Sequence, residues 1–215
     1  KAIRRQRQMC IRDSNKTAST DKSNTTSTKL NSNKNAIAQK RELTEVKDVA
    51  DSLYEAAGKL TDTSASKSLF KKADKVTNDI TSAVKDYVKN YNSLIEEAAD
   101  TTNSKVTGKV SFMTGQANAY KSSLEKVGIT INSDKTLSID EDTFKKSDIS
   151  DVKKLFNGSG SMAYQTFVRA SDISSAAENA SASVTSYGAD GMYNNYYNSA
   201  YNWLSLIHIS EPTRQ

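Results

Sequence analysis

The chain has 215 residues, 26% charged and 36% hydrophobic, with 30 Lys and Arg against 25 Asp and Glu and a formal net charge of +5. It holds one cysteine, one histidine and one proline, which excludes soft-metal clusters and leaves almost nothing for imidazole or thiolate chemistry. No run approaches the ~20 apolar residues that a membrane-crossing helix needs, so no membrane span is expected.

Residues 4–14 are RRQRQMCIRDS and residues 204–215 are LSLIHISEPTRQ. The bases ATG TGT ATA AGA GAC AG encode the Met-Cys-Ile-Arg-Asp stretch, and their reverse complement encodes Leu-Ser-Leu-Ile-His. One short DNA element read on both strands therefore flanks the chain, and it resembles the transposase mosaic end of sequencing libraries. Residues 1–14 and 204–215 are expected to be adapter-derived scars and are set aside from the fold. Cys10, His208 and Pro212 all fall in them. Removing the six basic and two acidic residues of these flanks leaves 24 Lys and Arg against 23 Asp and Glu over residues 15–203. A charge near balance gives no basis for a nucleic-acid partner. Without Cys or His, catalysis would rest on carboxylates, hydroxyls and lysines. The expectation is a structural or binding protein, not an enzyme, that takes no metal or cofactor.

Residues 15–35 (NKTASTDKSNTTSTKLNSNKN) hold one large apolar side chain, Leu30. So little burial cannot offset the entropy of ordering, and the tract reads as a disordered linker. From about residue 36 a seam appears: Leu43, Val46, Ala50, Leu53, Ala57 and Leu60 alternate steps of three and four, the rhythm of one helix face. Thr61 to Ser66 interrupts it with residues that cap well and propagate poorly. A second seam, after cap candidates Ser64 and Ser66, runs Leu69, Ala73, Val76, Ile80, Ala83, Tyr87, Tyr91, Leu94 and Ala98. A third runs Val106, Val110, Met113, Ala117, Tyr120, Leu124 and Val127, closing at Gly128, a residue suited to end a helix. Next, Gly128 to Ile131 and Leu137 to Ile139 alternate apolar and polar around the turn residues Asn132 to Lys135, which predicts a β-hairpin over about 128–139. Asp140 caps a brief helix carrying Phe144. Asp148 or Ser150 starts another with Val152, Leu155 and Phe156, ended by Asn157-Gly158. A last seam runs Ala163, Thr166, Ala170, Ile173, Ala177, Ala180 and Val184. Residues 187–203 form a Tyr/Asn-rich tail, either an interface segment or a disordered end. The sum is a mainly α fold: an elongated antiparallel helical bundle or coiled coil with one small hairpin. Its alanine-rich seams bury little area each at roughly 25 cal/mol per Å², so partner helices from other subunits would add stability.

The order of the later pieces carries a resemblance. Residues 84–98 (VKDYVKNYNSLIEEA) lead through a polar break to a further helix, then to LEKVGITINSDKTLSIDEDTFKKS and DVKKLFNG. This set is similar to the C-terminal helical region of the bacterial flagellar filament-capping family, also called hook-associated protein 2. The matching positions include Val88, Tyr91, Asn92 and Leu94, then Leu124, Gly128, Ile129, Leu137, Ser138, Asp140 and Glu141, then Val152, Leu155, Phe156 and Gly158. The similarity spans roughly residues 68–186. It implies a helical cap-like domain over 36–186 that lacks a catalytic site and assembles as a homo-oligomer, with flagellin as a candidate partner. It also implies an extracellular place on the flagellum, reached without a cleaved signal peptide. The family's large β-rich middle domains have no counterpart here, which suggests a fragment or a short cap-like protein.

Two rivals are weighed against that reading. Asp140, Glu141 and Asp142 form an acidic cluster, but a calcium loop needs a central glycine that NSDKTLSIDEDT lacks, and helix starts attract carboxylates without any ligand. A secreted or surface coiled-coil interaction module unrelated to flagella would show the same seams, but has no need of the hairpin, cap and LF.G block.

Overall fold

The computed structural model describes residues 24–64, 68–71 and 73–184, with side chains from residue 35 onward. The described chain is mainly helical: α1 (Asn24–Thr61), α2 (Asn78–Asp100), α3 (Ser104–Asn118), α4 (Lys121–Lys126), β1 (Ile129–Ile131), β2 (Leu137–Ile139), α5 (Glu141–Lys146), α6 (Ile149–Phe156) and α7 (Met162–Val184). The adapter-like flanks, residues 15–23 and the Tyr/Asn tail lie outside the described residues.

Helix α1 is 38 residues long, about 57 Å at 1.5 Å per residue. It lies antiparallel to α7. Ser174 Oγ donates to Asp51 Oδ1 at 2.6 Å, while further along α1 the Phe167 ring lies against Gly58. Helix α3 is also antiparallel to α7. The Gln116 side chain meets Gln165 at 3.1 Å, and the Arg169 guanidinium sits 4.8 Å above the Phe112 ring, one turn earlier in α3. Helix α2 packs against α1 and α3 and meets α7 through the Tyr87 and Thr166 hydroxyls, so the seams converge on one core. Leu43, Val46, Leu53, Ile80, Tyr87, Tyr91, Leu94, Val110, Met113, Leu124 and Ile173 are all buried within the single chain. The small alanines sit in the same core, where they let helices approach closely.

Three expectations are corrected. The first helix begins at Asn24, inside the tract read as a linker; once a helix is nucleated, each added Ser, Thr or Asn costs only a fraction of a kcal/mol. The second helix does not start after Ser64 or Ser66. It starts at Asn78, where Thr77 accepts the Ile80 N–H. Ahead of it, Lys153 Nζ donates to the Ala73 carbonyl at 3.0 Å, tying this segment to α6. Leu69 and Val76 therefore reach the core from an irregular segment: Val76 is buried and Leu69 partly so. The third seam is two helices. The N–H groups of Ala119 and Tyr120 bond to the carbonyls three residues back, Gln116 and Ala117, a tightening that ends α3. The chain restarts at Tyr120, whose carbonyl accepts the N–H of Leu124 and opens α4. Tyr120 is half-buried at this joint.

The hairpin pairs Ile129 with Ile139, Thr130 with Ser138 and Ile131 with Leu137, antiparallel. Asp140 caps α5 by accepting the N–H groups of Asp142 and Thr143. Asp148, rather than Ser150, caps α6 through the Ser150 N–H. After Asn157 closes α6, Gly158 turns the chain at φ +85°.

Candidate functional site

The hairpin is held to α2 by Asn92. Its Nδ2 donates to the Leu137 carbonyl at 2.8 Å, and its Oδ1 accepts the Leu137 N–H at 2.7 Å. The amide thus stands in for a neighbouring strand at the edge of β2. Leu137, one residue of the pair Ile131 and Leu137, is buried by this arrangement. Asn92→Ala removes both bonds and leaves a partly buried peptide unsatisfied, at a cost of about 2 kcal/mol. Urea denaturation should show that loss, with Asn92→Asp also destabilising because a carboxylate has no hydrogen for the Leu137 carbonyl.

Gly128 joins α4 to β1 at φ +78°. Its carbonyl accepts the Asp140 N–H at 2.8 Å, tying the start of the hairpin to the residue that follows its end. Ile129 is buried beneath it. Asp140 itself is exposed; hydrogen bonds from Thr143 hold its carboxyl below the usual range. The Ser150 hydrogen bonds do the same for Asp148. Glu141 pairs with Lys85 of α2 and, at 3.7 Å, with Lys145, and the Lys85 hydrogen bond lowers its pKa first of all. Every member of the Asp140–Glu141–Asp142 stretch with a lowered pKa is thus explained by capping or pairing. Among the described residues no three His, Cys, Asp or Glu side chains gather as metal ligands.

Under the hairpin lies an aromatic cluster. The Tyr87 ring is 6.1 Å from Tyr91 and 5.7 Å from Phe156, edge-on to the latter, and Phe156 meets Phe144 edge-on at 6.5 Å. Leu155 and Phe156, the apolar pair before Gly158, are buried in it. The structure therefore brings the family-motif positions Gly128, Ile129, Leu137, Asp140, Leu155, Phe156 and Gly158 into one folding unit clasped to α2. That unit is held together by packing and capping.

The outer surface offers more. Tyr54 of α1 stacks on Phe167 of α7 at 4.1 Å and 23°, and Tyr164 stacks with the same ring at 6.2 Å and 26°. Tyr54 and Tyr164 are each 38% exposed. The ladder exists because Gly58 has no side chain: a Cβ there would lie 3.3 Å from the Phe167 ring. Phe112, 54% exposed, and Val168 add apolar surface toward α3. Sequence reasoning missed Tyr54, Phe112 and Tyr164. The available signal was that all three are large aromatics one step off an apolar seam, where a solvated helix face normally carries polar side chains. The remaining concavities are open grooves. One, of about 840 Å³, runs between Lys105 and Lys109 on α3 and Ala176, Ala180 and Val184 on α7.

No helix among the described residues is long and apolar enough to cross a membrane. No protein-family model, curated protein or solved structure matches the chain.

Proposed function

We propose that this chain is a structural assembly protein like the flagellar filament cap it resembles, acting by self-association and by contact with flagellin outside the cell. The observation that carries the reading is the split between seam and surface. The seam side chains are consumed inside one chain, so assembly falls to the stacked, half-exposed aromatics Tyr54, Phe167 and Tyr164 on the face shared by α1 and α7. Rigid aromatics are favoured at interfaces because they offer large contact area at small entropic cost. The polar groups with lowered pKa values are committed to caps and ion pairs, which leaves the chemistry to scaffolding.

Sedimentation velocity over micromolar concentrations tests the first half. The chain should sediment as an oligomer, and the double variant Tyr54→Ser/Tyr164→Ser should shift to monomer with unchanged helical circular dichroism. A stable monomer before any substitution overturns the proposal. For the second half, the chain is added to growing flagellin filaments. Retention at filament ends supports the cap reading, whereas an oligomer that ignores flagellin supports a secreted or surface coiled-coil module instead.

A further inference from the structure

The turn between α6 and α7 is an Asn-Gly pair, and Asn157 is the only asparagine in the sequence that glycine follows. Such a pair carries its own chemistry. The glycine nitrogen attacks the side-chain carbonyl carbon of asparagine, unhindered because glycine has no Cβ. A bond forms from that nitrogen to Cγ, and the side-chain nitrogen leaves as ammonia with the proton the backbone amide gives up. Water then opens the succinimide to aspartate, or to isoaspartate with the main chain rerouted through the side chain. Attack requires the nitrogen and Cγ to approach in line, so the five-membered ring closes only when Cβ and that nitrogen are nearly eclipsed about the Cα–C bond.

Around Gly158 the way is open, since nothing lies within 4 Å of its Cβ position. The backbone torsion keeps it shut. At Asn157 ψ is 136°, which turns the Gly158 nitrogen away from the side chain. That torsion is held from both ends. The Asn157 N–H donates to the Lys153 carbonyl at 2.8 Å, and the Gly158 carbonyl accepts the Ser161 N–H at 3.2 Å and the Ser161 hydroxyl at 2.8 Å. Leu155 and Phe156, just before the pair, are anchored in the core. Asn157 Oδ1 is also buried, with no hydrogen-bond partner among the described residues. Attack at Cγ would place negative charge on that oxygen with no donor there to stabilise it.

We infer that the Asn157-Gly158 pair is a deamidation site guarded by the fold: closed while this turn is intact, reactive when it opens, and unable to close properly once converted. The burial that guards it also makes the product damaging. Aspartate would set a charged oxygen where even a neutral carbonyl oxygen has no donor, and burying a charge costs more than burying an amide. Isoaspartate adds a carbon to the main chain between the Lys153 and Ser161 hydrogen bonds, so both cannot form as before. A brief opening of the turn thus becomes a lasting one. The chemistry lies within one chain and is independent of the assembly proposed above.

Peptide mapping by mass spectrometry tests it on the full-length chain, aged at one mildly alkaline pH either folded or in guanidinium chloride. Trypsin releases residues 155–169, LFNGSGSMAYQTFVR, in which Asn157 is the one asparagine. Its conversion should be at least about tenfold slower in the folded protein, because reaction waits on local opening. Equal rates in the two states overturn the inference. Ser161→Ala frees the Gly158 carbonyl and should speed conversion severalfold in the folded protein while leaving the denatured rate unchanged. An unchanged folded rate overturns the role given to the backbone hold, and the comparison on the unaltered chain stands whatever this variant does to folding. Asn157→Asp, which makes the product directly, should lower the urea midpoint; an unchanged midpoint overturns the claim that conversion keeps the turn from closing.

Discussion

Gly128→Ala is expected to destabilise the protein by about 3 kcal/mol, through left-handed backbone strain together with overpacking. At φ +78° the added methyl would stand 2.9 Å from Thr143 Cβ, 3.0 Å from Thr143 Cγ2 and 3.1 Å from the Asp140 carbonyl oxygen. The closest atom is a Cβ and a backbone oxygen lies nearly as close, so moving the Thr143 methyl alone, as in Thr143→Ser, would not relieve the clash. The backbone cannot yield freely either. Gly128 donates to Glu125 and accepts from Asp140, so a shift there disturbs the end of α4 and the cap of α5 together. Gly108→Ala in α3 provides the contrast. Nothing lies within 4 Å of its Cβ position, and alanine in a helix interior should add about 0.5–1 kcal/mol. Urea midpoints for the two variants should move in opposite directions with similar slopes. A neutral Gly128→Ala would mean that the link between hairpin and cap is looser than its geometry.

How much of this was legible beforehand depends on what each signal measures. The apolar seams of α1 and α7 were readable because burial in a bundle imposes a period of 3.6 on the sequence. Asp140 and the turn residues were readable because caps and tight turns demand particular chemistry. The same rhythm misled at Leu69, Ala73 and Val76. Residues Leu69, Ala73 and Val76 pack against the core from an irregular segment, so their spacing reported burial and not helicity. The joint at Ala119 and Tyr120 carries no glycine or proline; it is set by tertiary packing and leaves no local mark. The clamp by Asn92 spans 45 residues of sequence, a partnership that no window of neighbours contains. The aromatic ladder depends on Gly58 facing Phe167 across two helices. Its members were visible, but their alignment required the register of α1 against α7.

Raising the pH above 10 is expected to unfold the protein cooperatively, driven by Tyr87 and Tyr91. Both are fully buried, and burial pushes each phenol above its ordinary value of 10.0, although the Thr166 hydrogen bond pulls Tyr87 back part of the way. In the unfolded chain the same phenols ionise near their ordinary value. The folded state therefore holds protons that the unfolded state releases, and the stabilisation, intact below pH 10, is lost as pH climbs toward the folded values. Each tyrosine should cost about 2 kcal/mol at pH 11.5, since one unit of pH is worth 1.36 kcal/mol per differential proton. Together they reach about 4 kcal/mol, a large share of the margin of a domain this size. Tyr87→Phe and Tyr91→Phe should each remove half of the slope of stability against pH above 10, yet differ near neutrality. The Tyr87 hydroxyl shares a 2.8 Å hydrogen bond with Thr166 Oγ1, so Tyr87→Phe leaves a buried hydroxyl alone and costs about 1–2 kcal/mol. The Tyr91 hydroxyl is buried without a hydrogen-bond partner among the described residues, so Tyr91→Phe relieves a desolvation penalty and should stabilise by about 1 kcal/mol. Chemical denaturation at pH 7 and pH 11, with tyrosinate absorbance followed through the transition, measures both effects. Equal behaviour of the two variants at pH 7 would show that the Tyr87 and Thr166 pair contributes nothing to the core.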